Sequence, residues 1–359
     1  MSQSRHLGKV VLLNDLRPEK PTRVRQDATY LVTGGLTGLG LLVAQWLADS
    51  GARHLALLGR RPPGPEAAAR IEALRQGGVS VHCLQADIGS EEQTATALKT
   101  LADQMPPLKG IFHLAGVLAD GVLVNQRWEN FEAVFHPKIY GAWNLHRSTR
   151  DADLDLFVLF SSTAGLFGSP GQSNHAAANA FLDAMAHYRR AAGRPALSIN
   201  WGVWSKVGAA AQKGADERVA LQGIGVIEPE AGIQTLDRIL ESAAVQVAAV
   251  PVDWDVFLER YAGGRRPAWL SGFQSPSAPR PGAPPRAPAE APRELAIDLQ
   301  ALPAGKRRQA LARFVQQQTA KVLGLADAAE LDPERPLNEQ GVDSLISVEL
   351  RNLLAKGVG

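Results

Sequence analysis

The chain has 359 residues, of which 45% are hydrophobic and 21% charged, with a formal net charge of +2. That length accommodates two or more domains, and the balance of residue types is that of a globular protein. So small a net charge argues against nucleic acid as a partner, and no apolar run approaches the ~18 residues of a membrane span.

The N-terminal MSQSRHLGKVVLLND lacks the apolar core of a signal peptide, which predicts a cytoplasmic protein. The first clear element is a strand at Thr29–Thr33, followed by Gly34-Gly35-Leu36-Thr37-Gly38-Leu39-Gly40 and then by Leu41, Leu42, Ala44, Trp46 and Leu47 at helical spacing. A glycine turn between strand and helix lets a pyrophosphate approach backbone N–H groups at the positive end of a helix dipole. Thr33, Gly34, Gly38, Leu39 and Gly40 are therefore candidate cofactor contacts, an ordinary tight turn being the alternative for the glycines alone. The second strand, His54–Leu58, runs into Arg60 and Arg61 where an acid would bind a free ribose 2′-hydroxyl. Guanidinium groups pair with a 2′-phosphate instead, which favours NADPH over NADH.

The third strand, Ser80–Gln85, contains the single cysteine, Cys83, which reads as a small hydrophobe and rules out an internal disulfide framework. Asp87 and Ile88 of QADI follow it, with Asp87 placed to meet an adenine. The fourth strand, Gly110–Leu114, leads into Ala115 and Gly116, small enough for a backbone to pass close to ribose and nicotinamide. Further strands are predicted at Leu156–Ser161, Ala196–Asn200 and Val247–Val250, with helical patterns between most of them. This is the signature of an α/β fold with a doubly wound parallel sheet of Rossmann type. Residues 263–294 are rich in Pro, Ala, Arg and Ser and predict an extended linker unable to bury a core. Beyond it, Lys306–Leu323 and Ser344–Ala355 read as amphipathic helices.

TGGLTGLG, LLGRR, QADI, HLAG, LFSSTAGLFGSPGQSNHAAANAFLDA and INWGVW occur in this order. Together they resemble the catalytic half of a ketoreductase from a modular polyketide synthase, a relative of the short-chain dehydrogenases. The resemblance divides the chain into residues 1–26, the tail of a preceding enoylreductase (SRHLGKVVL), and 27–262, the NADPH-binding ketoreductase. The linker at 263–294 and an incomplete acyl carrier domain at 295–359 (LNEQGVDSLISVELRN) follow. It implies reduction of a β-ketoacyl thioester on an acyl carrier protein to the β-hydroxyacyl thioester. Implied partners are other synthase domains, among them the enoylreductase and the ketoreductase's own structural half.

The resemblance also implies site residues. Ser162 would hydrogen-bond the substrate oxygen, with Ser161 structural, and Lys138 would hold the ribose and feed the proton relay. Asn179 would lie one helical turn beyond the proton donor. The donor position holds His175 where the family pattern has tyrosine, so either this histidine does the tyrosine's work or the domain binds NADPH without reducing. Asp120 and Phe167 stand at stereocontrol positions and imply a D-configured β-hydroxyl. Trp201 to Leu221 resembles a lid, with Gly208, Gly214 and Gly225 as hinge candidates. Ser344 would bear the phosphopantetheine arm, which leaves a carrier or docking module acting through Ser344 as a third reading.

Overall fold

The computed structural model describes residues 24–121, 123–206, 223–260, 268–270, 273 and 303–323, with isolated positions from 328 to 354. Seven strands form one parallel sheet: β1 (Thr29–Thr33), β2 (His54–Gly59), β3 (Ser80–Gln85), β4 (Leu108–His113), β5 (Leu156–Ser162), β6 (Leu197–Trp201) and β7 (Gln246–Ala249). Their spatial order is β3-β2-β1-β4-β5-β6-β7, with every neighbouring pair parallel. The order reverses between β1 and β4, where open sheets of this kind leave a crevice at the strands' carboxyl ends.

Parallel strands need crossover connections, and here helices supply them on both faces. The first is α1 (Gly38–Asp49), followed by α2 (Pro65–Gln76), α3 (Glu91–Gln104) and α4 (Trp128–Phe135). Five residues in π-helical turns (His136–Tyr140) join α4 to α5 (Gly141–Ser148). Next come α6 (Ala164–Phe167), α7 (Ser173–Ala191), α8 (Pro229–Leu240) and α9 (Trp254–Arg260). Covered on both sides, the central strands are largely buried, and all five residues of β1 are.

Alternation along each strand divides the core in two. Tyr30 and Val32 of β1 and Val158 and Phe160 of β5 pack with Leu47 of α1, Ile71 of α2 and Leu236 of α8. Leu31 of β1 and Phe157 and Leu159 of β5 join Leu101 of α3, Leu145 of α5 and Leu182 of α7 on the opposite face. Strands lie where the apolar runs predict, with ends displaced by one or two residues: β4 begins at Leu108, and β6 and β7 span Leu197–Trp201 and Gln246–Ala249.

Two expectations are corrected. Cys83 is exposed on β3, an edge strand of the sheet, so it is not the packed small hydrophobe its apolar neighbours predict. The linker does not begin at residue 263, because Leu270 is only 1% exposed and packs with Phe257 and Leu258 of α9. Phe273 stacks on Trp254 with centroids 4.0 Å apart. Proline content masked these two apolar side chains.

The chain divides into two compact units, one built on the sheet and one comprising Asp120–Arg127, Ser169–Ser173 and Ser277–Gly359. In the second, α10 (Ala304–Leu323) covers the predicted first carrier helix, and its Gln316 side-chain amide donates to the Leu331 carbonyl at 2.8 Å. Of the predicted second helix only Leu350, Arg351 and Leu354 are described, all helical. Ser344, Gly208, Gly214 and the residues through Leu221 from 207 lie outside the described residues, as do positions 1–23. Among the described residues no helix is long and apolar enough to cross a membrane, and no cluster of metal-ligating side chains occurs.

Candidate active site

The carboxyl ends of β1, β2, β3 and β4 deliver the predicted cofactor residues. Gly34 has φ +71°, a left-handed conformation natural to glycine, and a Cβ there would lie 3.2 Å from the Ala115 backbone nitrogen. A Cβ on Gly40 would overlap the Gly34 carbonyl oxygen, so α1 packs against the turn only because that position is bare. No acidic side chain occupies the first turn of α1, which leaves the positive end of its dipole unopposed. The Thr33 hydroxyl points inward rather than to a ligand. It bonds His113 Nδ1 at 2.8 Å and accepts from the Leu114 and Ala115 N–H groups at 3.2 and 3.3 Å.

Arg60 and Arg61 are exposed at the end of β2. Arg60 lines a cavity of about 440 Å³ together with Val117, Glu129, Glu132, Ala133 and His136. Asp87 accepts from the Gly89 N–H at 2.9 Å and faces His136 Nε2 at 3.2 Å, while Ile88 is buried. This cradle, bare at Gly34 and Gly40 and basic at Arg60 and Arg61, fits an anionic dinucleotide.

The predicted reducing site draws on three elements. Lys138 sits in the π-helical turns, which insert an extra residue per turn and often mark functional positions. Its ammonium group is buried and donates to the Phe160 carbonyl at 3.0 Å and to Asn179 Oδ1 at 2.9 Å. Asn179 Nδ2 donates to the His175 carbonyl at 2.7 Å, one turn back along α7. Lys138, Asn179 and residue 175 therefore form one hydrogen-bonded chain. Gly116 packs against Lys138, and a Cβ there would lie 3.1 Å from Cε. Ser162 ends β5 and uses its hydroxyl oxygen to accept the Ala164 N–H at 3.2 Å, leaving the O–H proton for another acceptor. The Ser161 hydroxyl is committed, donating to the Asn179 carbonyl at 3.2 Å and accepting from Asn200 Nδ2 at 3.0 Å.

Burial governs the charges. Desolvation pushes the Lys138 amine down to about 8, opposed by the charge of Asp183. His175 is pushed down to about 3 by burial and then by the Lys138 charge, so its imidazole is neutral at neutral pH. His175 Nδ1 is enclosed without a partner, the expected state of a polar atom awaiting a bound molecule. His113 is likewise held neutral, down to about 3, by burial and Lys138.

Both histidines consequently make the fold acid-sensitive. Below pH ~6.5 the unfolded chain binds protons that the folded chain refuses until about 3, so stability falls as pH falls through that window. Urea melts at pH 7 and pH 5 should differ by roughly 2 kcal/mol for each histidine, and His113→Asn should remove its share.

The two predicted stereocontrol positions are occupied differently. Asp120, in the second unit, accepts from Gln172 Nε2 at 3.1 Å. Phe167 packs against Phe257 and stacks on Trp269 with centroids 5.7 Å apart, inside an aromatic cluster. Sequence reasoning missed His113, Asp183, Ser198 and Asn200. Of these only Asp183 left a signal, eight residues past His175 and so on the same face of α7.

Comparison with known proteins agrees with this geometry. The KR domain family matches residues 28–206, and the phosphopantetheine attachment site family matches residues 313–359. The spectinabilin polyketide synthase system protein NorB of Streptomyces orinoci is 41% identical over 367 residues, covering 100% of this chain but 16% of NorB. The chain thus spans about a sixth of the length of that relative. Among solved structures, an A1-type ketoreductase is 39% identical with a TM-score of 0.66, covering 71% of this chain and 54% of that one. A ketoreductase from the first module of phoslactomycin biosynthesis in Streptomyces sp. HK803 is 30% identical with a TM-score of 0.66, covering 73% and 61%. With its parallel sheet, its glycine turn and its lysine and asparagine on facing elements, the chain belongs to the ketoreductases of modular polyketide synthases, followed by a phosphopantetheine-type acyl carrier region.

Proposed function

We propose that this chain reduces a β-ketoacyl thioester, presented on an acyl carrier protein, to the β-hydroxyacyl thioester, with NADPH as reductant and in the cytoplasm. The observation that carries this reading is the chain from Lys138 through Asn179 to the backbone carbonyl of His175, together with the Ser162 hydroxyl, whose proton is not used within the strand end. When bound, the reduced nicotinamide supplies a hydride to the ketone carbon. The Ser162 O–H and a ring N–H of His175 then donate to the oxygen as it gains charge. A neutral imidazole is a weak acid, so the proton must be replaced as it leaves. Lys138, at about 8, is the group at the site closest to neutral pH and serves as the reservoir. A proton given by His175 at one ring nitrogen is recovered at the other from Lys138 by way of water.

The direct test follows NADPH absorbance with a β-ketoacyl-pantetheine thioester. Turnover is expected; saturable NADPH binding without turnover would instead assign a non-reducing scaffold. A D-configured product is expected on chiral analysis, in keeping with Asp120. Replacing Arg60 with glutamate should raise the apparent KM for NADPH about tenfold and favour NADH, through loss of the charge-assisted contact to the 2′-phosphate. Partners of the intact synthase would be the enoylreductase, the ketoreductase's structural half and the carrier domain. Ser344 is the proposed phosphopantetheine attachment residue. Mass spectrometry after treatment with a phosphopantetheinyl transferase should find the added arm on Ser344.

A further inference from the structure

Among the described residues, Asp183 is the one carboxylate in the buried class, and the reduction scheme does not use it. A buried carboxylate is costly unless its lone pairs are met by donors and its charge is balanced. The donors are present: the Ser198 hydroxyl reaches Oδ1 at 2.6 Å and Asn200 Nδ2 reaches Oδ2 at 2.8 Å. Both partners donate, the arrangement suited to an ionised carboxylate. Asp183 makes no ion pair within 4 Å, so its countercharge stands farther off.

Lys138 offers that countercharge, because the charge of Asp183 favours its protonated form. The lysine's own partners, the Phe160 carbonyl and Asn179 Oδ1, are neutral. The titratable groups around it are His113 from β4, and His175 and Asp183 from α7, and both histidines are uncharged. Asp183 follows His175 and Asn179 at successive intervals of four along α7, so the three share one helical face. A hydrogen-bond path also runs between them. Asn200 Nδ2, besides meeting Asp183, donates to Ser161 Oγ at 3.0 Å and to the Ser162 carbonyl at 3.2 Å. Ser161 Oγ donates in turn to the Asn179 carbonyl. Gln246 Nε2 fixes the orientation of the Asn200 amide, donating to its Oδ1 at 3.0 Å.

We propose that Asp183 is a positioning residue of the reductase: its carboxylate keeps buried Lys138 an ammonium ion and, through Asn200 and Ser161, sets Asn179 and Ser162 around the reacting carbonyl. The assignment deepens the reductase reading and rests on it for its role in turnover. The electrostatic link between Asp183 and Lys138 is measurable without turnover. The opposing influence of Asp183 on a lysine otherwise depressed by burial points the same way.

The experiment titrates Lys138 by NMR of isotope-labelled lysine in the whole chain, its signal identified by loss in Lys138→Met. Asp183→Asn should lower the Lys138 midpoint by about half a pH unit or more, because desolvation is then unopposed. Asp183→Ser removes the same charge with a smaller side chain and replaces Asp183→Asn if that variant does not fold. Ser198→Ala removes a hydrogen bond from Asp183 but keeps the charge, and should leave the midpoint within about 0.2 units. In the kinetic arm, Asp183→Asn should shift the alkaline limb of the rate profile downward and lower kcat about tenfold, with the thioester KM within about twofold. An unmoved Lys138 midpoint in a folded charge-removing variant, or an equal shift in Ser198→Ala, overturns the assignment. A Lys138 that titrates as stated in a chain without turnover would sink the reductase reading and leave the electrostatic link standing.

Discussion

Lys138→Met should slow reduction of a β-ketoacyl thioester about a thousandfold while leaving a folded sheet. The substitution keeps the length of the side chain and removes two functions together. The first is chemical: at about 8, the amine is protonated through neutral pH and can resupply the proton that the alkoxide takes. Loss of a positioned proton donor typically costs 10²–10⁴-fold. The second is architectural, because the ammonium group joins the end of β5, at the Phe160 carbonyl, to α7, at Asn179. Two buried acceptors would be left unpaired at ~1–3 kcal/mol each, so a lower melting temperature should accompany the loss. Binding of NADPH, followed by fluorescence, separates loss of chemistry from loss of the cofactor. A rate within tenfold of the parent would remove Lys138 from the mechanism. In the parent chain the rate should decline as pH rises through about 8, the direction in which Lys138 gives up its proton.

His175→Tyr should raise the rate by about tenfold to a hundredfold. The imidazole here is held neutral down to about 3, so it orients and relays but is itself a poor acid. A phenol in the same place would have its pKa lowered by the neighbouring ammonium group and would deliver its own proton. His175→Phe, which can do neither, should fall about a hundredfold below the parent, in line with loss of one donor to a developing oxyanion. If the tyrosine variant were no faster than the parent, the histidine would be performing the full acid role. Parallel stopped-flow traces of the three proteins, at equal NADPH occupancy, make the comparison.

Much of the fold was legible because a parallel sheet covered on both faces writes its strands as unbroken apolar runs. Tyr30-Leu31-Val32 and Leu156 to Phe160 needed no tertiary information to be read as strands. What was illegible depends on partners remote in the chain. Asn200 matters through contacts with Asp183 and Ser161, residues 17 and 39 positions away, and no local pattern announces them. His113 read only as the start of HLAG, yet it joins the Thr33 hydroxyl before the glycine turn to the backbone of Lys138. Leu270 and Phe273 were lost among prolines, although the burial of Leu270 against α9 and the stacking of Phe273 on Trp254 extend the sheet unit past residue 262. Composition reports what a segment holds on average, whereas packing is decided by individual side chains.

The wide turns at His136–Tyr140 also carry an evolutionary consequence. A π-turn is an α-turn with one residue inserted, so losing any one of the five would let the helix close up at ordinary pitch. Residues on either side would keep their places on the helix, because the wide turn absorbs the extra residue, whereas those within it would be redirected. A one-codon loss there would therefore redirect Lys138 while leaving α4 and α5 in step, which ties the length of this stretch to the site.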